Sequence, residues 1–443
     1  MSLEKLKPYI NPILVGSLIL FSLPIKLPSI QQSLESFLSI SFPIKLSLYT
    51  FLLPPVALFS IIWNRKRTFE IFKILRLPLI VLALLFFWMW FGSIMSHYPE
   101  IALKHSARYS IYLLTFLGFL YAIEKDSFNN TYIIFSGIYI LLMTLTFLDF
   151  HGGINIPRFL SEYGLHIDLF YRENRASSFF ENPNPYSVAS VGVFFWFINR
   201  LQQSWFISSL GIMCALYSVL ISHSRNGYFT LFLSIILFLI LAIRKFRKTK
   251  EVIILVLGIA VTIVISTYII YSLTKEKIVQ RGVNTDSFEE MYEDWKITEL
   301  RFIIYRAAIE VGLKNLDIIG SGTKTFGNNI FENSKSIHDN WEIILVHRLG
   351  EKWKKIAYNA HNAILTIWIE MGFFGLFFVL IFLFLWFAPA LRSPPLFMMP
   401  MLAFCVGQIL DYFVWEILFM AFQSFFFAHF ANRIYFFKEK SND

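Results

Sequence analysis

The chain has 443 residues, of which 56% are hydrophobic and only 16% are charged. Its apolar runs repeatedly reach the length of about 20 residues that a helix needs to cross a bilayer, which excludes a soluble array of domains. The net charge of +9 does not indicate nucleic-acid binding, because the basic residues cluster in short loops between apolar runs.

The first third of the chain alternates apolar runs with charged loops. A run at about 10–25 lacks a small-residue cleavage site, so we predict an uncleaved first helix rather than a signal peptide. A second span ends at Trp63 and meets the first dense basic loop, which the positive-inside rule places in the cytoplasm. The next three spans are predicted at about 77–96, 106–123 and 132–149.

The middle and end of the chain continue this alternation. Spans at about 186–200, 205–222 and 227–243 end in a second basic cluster, which again falls on the cytoplasmic side. A ninth span, at about 252–273, leads to the largest non-apolar segment of the chain, at about 274–360. The last three spans are predicted at about 362–388, 396–415 and 417–432.

These spans predict an all-α polytopic membrane protein of about 12 helices with both termini in the cytoplasm. The chain divides into helices 1 to 9 with an external loop near 151–186 (residues 1–273), a large external helical loop (274–361) and helices 10 to 12 (362–443). The turn at 222–227 also lies on the external side. Polar groups from several separate stretches can therefore meet there.

Residues 355–375 close the large polar loop and open an apolar helix, which places His361 and Asn362 where water meets the membrane. On a continuous helix Gly372 lies about 20° from His361 and Gly375 about 40° on its other side. This spacing predicts a strip without side chains below the histidine. The alternative is a helix N-terminus with an incidental histidine above a small-residue packing face.

The large loop contains two further patterns. Apolar residues recur at helical spacing over about 295–312, which predicts an amphipathic helix whose buried side holds Leu300, Ile304, Ala307, Ala308 and Val311. Residues 320–326 then include two glycines that are similar to a fragment of a phosphate loop. The alternative is a turn that returns the chain to the membrane.

An external arginine needs a physical reason, because topology disfavours basic residues on that side. Arg225 lies between two predicted spans and has no acidic residue nearby in sequence. One interpretation is snorkelling of its guanidinium into the head groups. The other is an anion site, since a guanidinium grips phosphate oxygens bidentately and keeps its charge.

Several of these residues carry a resemblance to a known family. His361-Asn362, nine residues and then Gly372-x-x-Gly375 resembles the signature of bacterial O-antigen ligases. The wider superfamily, which includes the O-antigen polymerases, has further segments similar in order and spacing to Arg175 through Asn182-Pro183-Asn184, Ser222-x-Ser-Arg225, Arg301 with Tyr305, and Gly320-x-Gly322 with Phe326. The resemblance covers roughly residues 170 to 380.

The resemblance implies a GT-C-like glycosyltransferase of the bacterial inner membrane whose active site faces the periplasm. It implies transfer of O-antigen polysaccharide from undecaprenyl diphosphate to a sugar hydroxyl of lipid A-core, which belongs to lipopolysaccharide biosynthesis. Nucleotide sugars are absent outside the cytoplasm, so an external transferase needs a lipid-linked donor. We predict no cofactor and no metal, because no Asp-x-Asp motif occurs at the external positions and both cysteines, Cys214 and Cys405, lie inside apolar runs.

Without a metal, cations must stabilise the leaving diphosphate. Arg225 and Arg301 are the main candidates for this role, and Arg175 and Arg306 are further candidates for binding the diphosphate or substrate. His361 is the candidate general base that takes the proton from the acceptor hydroxyl. A single displacement then inverts the anomeric carbon.

Two other residues are candidates for support of this site. Asn362 follows the histidine, and Asp411 lies inside the eleventh span near its external end, where a carboxylate is costly unless paired. Asp411 could orient the histidine or pair with an arginine. Glu370 and Glu416 compete for the same roles.

Three other functions fit parts of the pattern. O-antigen polymerases and protein O-oligosaccharyltransferases share the arginines, the external loop and often the histidine. A transporter or flippase for lipid-linked glycans would also have many spans and intramembrane charges, but it predicts related halves with interrupted helices. No such internal repeat is found in the sequence.

Overall fold

A computed structural model describes residues 6–28, 31, 47–163, 165, 171–172, 175–180, 182–245, 304–313, 318–334, 360–390, 396–410 and 417–436. Several sequence predictions lie outside the described residues: the ninth span at 252–273, most of the segment 274–360, Arg301, Asp411 and Glu416.

The described residues are almost entirely helical. They form α1 (Lys7–Leu20), α2 (Leu48–Phe51), α3 (Leu53–Trp63), α4 (Thr68–Ile94), α5 (Pro99–Ala122), α6 (Phe128–Gly152), α7 (Ile156–Glu162), α8 (Pro183–Ile198), α9 (Trp205–Ile221), α10 (Arg225–Lys245), α11 (304–313), α12 (Phe326–Ser334), α13 (Ala363–Phe387), α14 (Met399–Leu410) and α15 (Ile417–Ala431). Two short strands, β1 (Tyr171–Arg172) and β2 (Arg175–Ala176), pair antiparallel with Tyr171 opposite Ala176 and Arg172 opposite Arg175.

The helices have the apolar character of a membrane protein, which confirms the predicted class. Among the described residues, three stretches are long and apolar enough to cross a bilayer, at Arg65–Ile94, Phe128–Gly152 and Ala363–Ala390. Shorter apolar helices occur at Leu48–Trp63, Trp205–Ile221, Arg225–Leu241 and Leu396–Ile409. The total of about 12 spans stays a prediction.

The main core forms around α8, which is buried on nearly every side. A helix that is apolar all round is stable only inside a bundle, and α8 packs against α9, α10 and α14. Aromatic rings fill the space beside it. The rings of Phe135 and Phe425 stack with their centroids 4.3 Å apart, and Trp196 makes an edge-to-face contact with each of them. At Gly192 the ring of Phe404 occupies the place of a side chain, which allows α14 to approach closely.

Residues that are predicted to face the cytoplasm lie together at one end of the bundle. The buried guanidinium of Arg67 donates to the carbonyl oxygens of Tyr121 at 2.7 Å and Ile123 at 3.1 Å, which close α5. Glu124 lies 3.7 Å from Arg67 and 3.5 Å from Lys7. The start of α1, the start of α4 and the end of α5 therefore share one end, as the predicted alternation requires.

A second, smaller core lies at the opposite end, which we call the outer end. It buries Ile304, Ala307, Ala308, Val311, Phe326, Ile330, Ala360 and Ile369, and we call this set the outer cluster. Four of these residues belong to the predicted amphipathic helix, so the described part of that prediction is confirmed. The outer cluster joins α11 and α12 to the first turns of α13.

Candidate functional site

The start of α13 fixes the position of the candidate histidine. Asn362 is the N-cap residue: its Oδ1 accepts from the backbone N–H of Leu365 at 3.0 Å. Its Nδ2 donates to the carbonyl oxygen of Ile409 in α14, also at 3.0 Å. The backbone N–H of Ala360 donates to the hydroxyl of Thr366 at 3.1 Å. The two residues that flank His361 are thus tied to the helix that follows.

His361 itself is half-buried and has a φ of +50°, in the left-handed region. Such a backbone is uncommon for residues other than glycine and persists only where the surroundings hold it. The hydroxyl of Tyr305 donates to the carbonyl oxygen of His361 at 3.3 Å. The Tyr305 segment of the resemblance is therefore in contact with the histidine segment.

The helix below the histidine is not continuous. Gly372 has φ +68° and ψ −172°, which breaks α13 into two parts at 363–371 and 373–387. A Cβ at Gly372 would collide with the carbonyl group of Ile318, and the site of a Cβ at Gly375 is taken by the Met371 side chain. The predicted open strip below His361 is therefore wrong, because the helical-wheel relation requires an unbroken helix.

The loop 318–325 fills the break. The backbone N–H of Ser321 donates to the carbonyl oxygen of Ile369 at 3.0 Å, and that of Gly322 donates to Glu370 at 2.9 Å. The indole of Trp88 donates to the carbonyl oxygen of Met371 at 2.9 Å. These bonds satisfy carbonyl groups that the break would otherwise leave unpaired.

Gly320 and Gly322 have φ values of +86° and +99°, and a Cβ at Gly320 would collide with the backbone of Glu370 and Gly372. The glycines therefore permit two backbones to touch. Because the N–H groups of Ser321 and Gly322 bind protein carbonyls, they do not form a phosphate loop. The alternative prediction, a turn that returns the chain to the membrane, agrees with the structure.

Glu370 is 2% exposed and binds this loop through its side chain. Its carboxylate accepts hydrogen bonds from the backbone N–H groups of Lys324 and Phe326. Phe326 is the first residue of α12, so the long apolar helix α13 supplies a negative charge at the N-terminus of α12. The sequence suggested Glu370 as a partner for a histidine or an arginine, whereas the structure shows it bound to backbone groups.

The same loop is attached to the outer ends of α4 and α5. The hydroxyl of Thr323 donates to the carbonyl oxygen of Ala102 at 2.7 Å and lies 3.0 Å from that of Ser106. Nearby, burial and the Glu332 carboxylate raise the pKa of the Tyr98 phenol above its ordinary value. The loop 318–325 and α12 are therefore bound to several helices of the bundle.

A second group of candidate residues surrounds Arg175. Its Nε donates to the carbonyl oxygen of Ser222 at 2.9 Å, and a terminal nitrogen donates to Oδ1 of Asn184 at 3.0 Å. The hydroxyl of Ser224 donates to the same Asn184 oxygen at 2.9 Å. The motif that ends in Asn182-Pro183-Asn184 and the motif that ends in Arg225 are thus directly bonded.

Arg225 is the first residue of α10, and its side chain is exposed. Two residues later, a Cβ at Gly227 would collide with the hydroxyl of Ser187 in α8. The backbone N–H of Gly227 donates to the hydroxyl of Ser224 at 3.1 Å. The turn before α10 is therefore packed tightly against α8, while Arg225 is exposed.

Comparison with known proteins supports one family. Residues 210–380 match the family model described as O-antigen ligase. Over these residues the chain is similar to that family. The match covers less than half of the chain and includes Arg225, Arg301 and His361. A search of curated proteins finds no significant match.

The matched segment includes Arg225 and His361, whereas Arg175 and Asn184 lie before it, and α14 connects the two groups of candidate residues. Asn362 bonds to Ile409 near the C-terminal end of α14. Two residues earlier in α14, at Gly407, the side chain of Val188 from the second turn of α8 occupies the site of a Cβ. The helix α8 begins beside Arg175 and also packs against α10, which begins at Arg225. His361, Arg175 and Arg225 therefore lie at the outer end of the bundle.

The remaining candidate residues are Arg306, Arg301 and Asp411, and only the first of them is described by the structure. Arg306 is exposed and pairs with Glu310 one turn away at 2.8 Å, a geometry typical of a solvated helix face. Arg301 and Asp411 lie outside the described residues. Within the part of the chain that the structure describes, no three His, Cys, Asp or Glu side chains are close enough to hold a metal ion.

Proposed function

We propose that the protein is an O-antigen ligase: a GT-C-like enzyme of the bacterial inner membrane, of about 12 spans, that acts on the periplasmic face. It transfers O-antigen polysaccharide from undecaprenyl diphosphate to a sugar hydroxyl of lipid A-core. The observation that supports this proposal is that His361, Arg175 and Arg225 lie at one end of the bundle. There the Arg175 segment is hydrogen-bonded to the turn before Arg225, and Tyr305 is hydrogen-bonded to His361. O-antigen polymerase activity is the alternative within the superfamily.

In the proposed reaction His361 takes the proton of the acceptor hydroxyl as its oxygen attacks the anomeric carbon of the donor. The bond between that carbon and the diphosphate oxygen breaks, and undecaprenyl diphosphate leaves with the electron pair. The displacement inverts the anomeric carbon. An imidazole is suited to this step because it exchanges protons near neutral pH.

Arg225 and Arg175 have different roles in this scheme. Arg225 has an exposed guanidinium and is proposed to stabilise the charge that develops on the diphosphate, together with Arg301. Arg175 uses its nitrogens to hold Ser222 and Asn184, so we propose that it positions the turn that carries Arg225. Asn362 positions His361 by capping α13.

The function is tested with purified protein in detergent. Given undecaprenyl-diphosphate glycan and lipid A-core, the ligase should form glycan-capped lipid A-core and free undecaprenyl diphosphate without added nucleotide or divalent metal. A polymerase would lengthen the lipid-linked glycan and leave lipid A-core unchanged, and a transporter would form no covalent bond. Loss of the reaction with chelator and its recovery with magnesium would contradict the proposed role of the arginines.

The roles of the arginines are tested by comparing Arg225→Lys with Arg175→Lys. We expect Arg225→Lys to lose transfer and to keep its thermal unfolding temperature, because a single ammonium cannot grip a diphosphate bidentately. Arg175→Lys should lower both, because lysine cannot make both bonds to Ser222 and Asn184. Arg158→Lys, an exposed residue that pairs with Glu162, is the control. Full activity of Arg225→Lys would assign that residue to snorkelling.

A further inference from the structure

The turn that carries His361 is held on both sides by hydrogen bonds. His361 has a φ of +50° and lies between the buried Ala360 and the N-cap residue Asn362. A left-handed backbone at a residue other than glycine persists only where the surrounding structure fixes it. The hydrogen bonds of the two flanking residues are therefore among the restraints that keep His361 in this conformation.

The side chain of Thr366 binds both flanking residues. Its hydroxyl accepts from the backbone N–H of Ala360 at 3.1 Å and donates to the carbonyl oxygen of Asn362 at 2.8 Å. One hydroxyl can serve both groups because it has a single donor hydrogen and two acceptor lone pairs. The oxygen atom of Thr366 therefore links the residue before His361 to the residue after it.

The position of Thr366 in α13 explains how it reaches back to Ala360. Asn362 is the N-cap residue, so Thr366 is the fourth residue of the helix and Ala360 lies two positions before the cap. In many helices the fourth residue makes an apolar contact with the residue just before the N-cap, which fixes the direction in which the chain enters the helix. In α13 a threonine fixes this direction with a hydrogen bond instead.

Solvent water does not replace the bond to Ala360. Ala360 belongs to the outer cluster, and the exposed fractions of Ala360 and Thr366 are both 0%. A buried N–H that loses its acceptor is costly, so the backbone would move towards another acceptor. Because such a movement includes the next residue, it would displace His361.

The burial of Thr366 also separates it from the substrates. His361 is half-buried, and its imidazole is proposed to reach the acceptor hydroxyl, whereas Thr366 is enclosed by protein. The threonine therefore neither touches a substrate nor exchanges a proton with one. It acts on the reaction only through the backbone of 360–362.

We propose that Thr366 is a positioning residue for the general base: its hydroxyl holds the turn 360–362 so that His361 meets the acceptor hydroxyl. This inference rests on the proposed function. The role differs from that of Asn362, which caps α13 and binds α14, because Thr366 also fixes the residue that precedes the histidine. A base displaced by about 1 Å loses much of its effect on the rate, while substrate binding is retained.

The test compares three substitutions of the threonine. Thr366→Val keeps the shape of the side chain and removes the hydroxyl, Thr366→Ser keeps the hydroxyl, and Thr366→Ala removes it without adding bulk. Thr115→Val is the matched control, because Thr115 is also buried and donates to the carbonyl oxygen four residues earlier at 2.7 Å, as Thr366 does. Thr115 lies in α5, about 24 Å along the helix from Pro99 at its outer end.

The measurements are kcat and KM of glycan transfer and hydrogen exchange at the backbone N–H of Ala360. We expect Thr366→Val to lower kcat by about tenfold or more and to change KM for donor and acceptor by less than about twofold. Exchange at Ala360 should become faster in the same variant, because the N–H has lost its acceptor. Thr366→Ser should restore most of the activity and the slow exchange, and Thr115→Val should match the wild type in both.

The inference is overturned if Thr366→Val transfers glycan with the wild-type kcat, or if Thr366→Ser loses as much activity as Thr366→Val. If Thr366→Val does not fold, Thr366→Ala takes its place, and wild-type kcat in that variant overturns the inference. Absence of transfer by the wild type would contradict the proposed function instead. The exchange difference between Thr366→Val and Thr366→Ser does not depend on transfer, so the two failures are distinguishable.

Discussion

The two parts of α13 are both mainly apolar but lie in different environments. In 363–371 the residues Thr366, Ile369 and Glu370 are buried, and the segment is joined to α11 and α12 through the outer cluster. In 373–387 the chain exposes Phe373, Phe377, Leu380 and Phe384 on the surface of the bundle. The first part supports the candidate site, and the second part has the composition of a lipid-facing span.

The break at Gly372 makes this division possible. Irregular backbone at membrane depth is tolerated only where protein groups satisfy its polar atoms. Here Ser321, Gly322 and Trp88 donate to the carbonyl groups around the break. The loop 318–325 can therefore enter the helix while the carbonyl groups of Ile369, Glu370 and Met371 stay hydrogen-bonded, and its contact with α13 helps to fix the segment that carries His361.

The largest effect is expected where the two parts meet. Gly372→Ala adds a Cβ that collides with the carbonyl group of Ile318 at a φ of +68°, so we expect a loss of about 2–5 kcal/mol in stability. The measurement is thermal unfolding in detergent. Gly137→Ala in α6 is the matched control, because a Cβ there meets no atom within 4 Å. Equal unfolding temperatures for the two variants would contradict the packing of the loop into the break.

An intermediate effect is expected for the side chain that holds the loop. Glu370→Ala leaves the backbone N–H groups of Lys324 and Phe326 without their acceptor, which costs about 1–3 kcal/mol. Hydrogen exchange should increase in 320–334 and not in 373–387. Glu310→Ala removes a carboxylate from a partly exposed pair in the same region and should cost about 0.5 kcal/mol or less. If both variants behave alike, Glu370 does not anchor the loop.

The smallest effect is expected on the lipid-facing part. Phe377→Leu replaces an exposed ring with another apolar side chain and should change stability by less than about 0.5 kcal/mol. Phe326→Leu makes the same replacement at a fully buried position of the outer cluster. We expect it to lower the free energy of unfolding by about 1 kcal/mol. A larger loss for Phe377→Leu would indicate that this face packs against protein rather than lipid.

Local patterns in the sequence predicted part of this architecture. The start of α13 after His361 and Asn362 follows from the change from polar to apolar residues, and the buried face of α11 follows from helical spacing. The break at Gly372 did not follow from either signal, because hydropathy is uniformly high across it. Its cause is a contact with residues about 50 positions earlier, which no local pattern records.

The candidate site was predictable to a similar extent. Motif order indicated that the segments of Arg175 and Arg225 belong together, and the structure bonds them through Ser222 and Asn184. The division of roles did not follow from the sequence, because only the contacts distinguish an arginine that holds a turn from one with an exposed guanidinium.

The most direct test of the central claim is glycan transfer by a His361→Asn variant. Asparagine tolerates the left-handed backbone that His361 adopts, so this variant removes the base and keeps the conformation of the turn. His361→Ala provides a second side chain without a base. We predict that transfer to lipid A-core falls by at least about 100-fold in both variants, with the thermal unfolding temperature of His361→Asn unchanged. Wild-type transfer by purified His361→Asn would contradict the assignment of His361 as the general base.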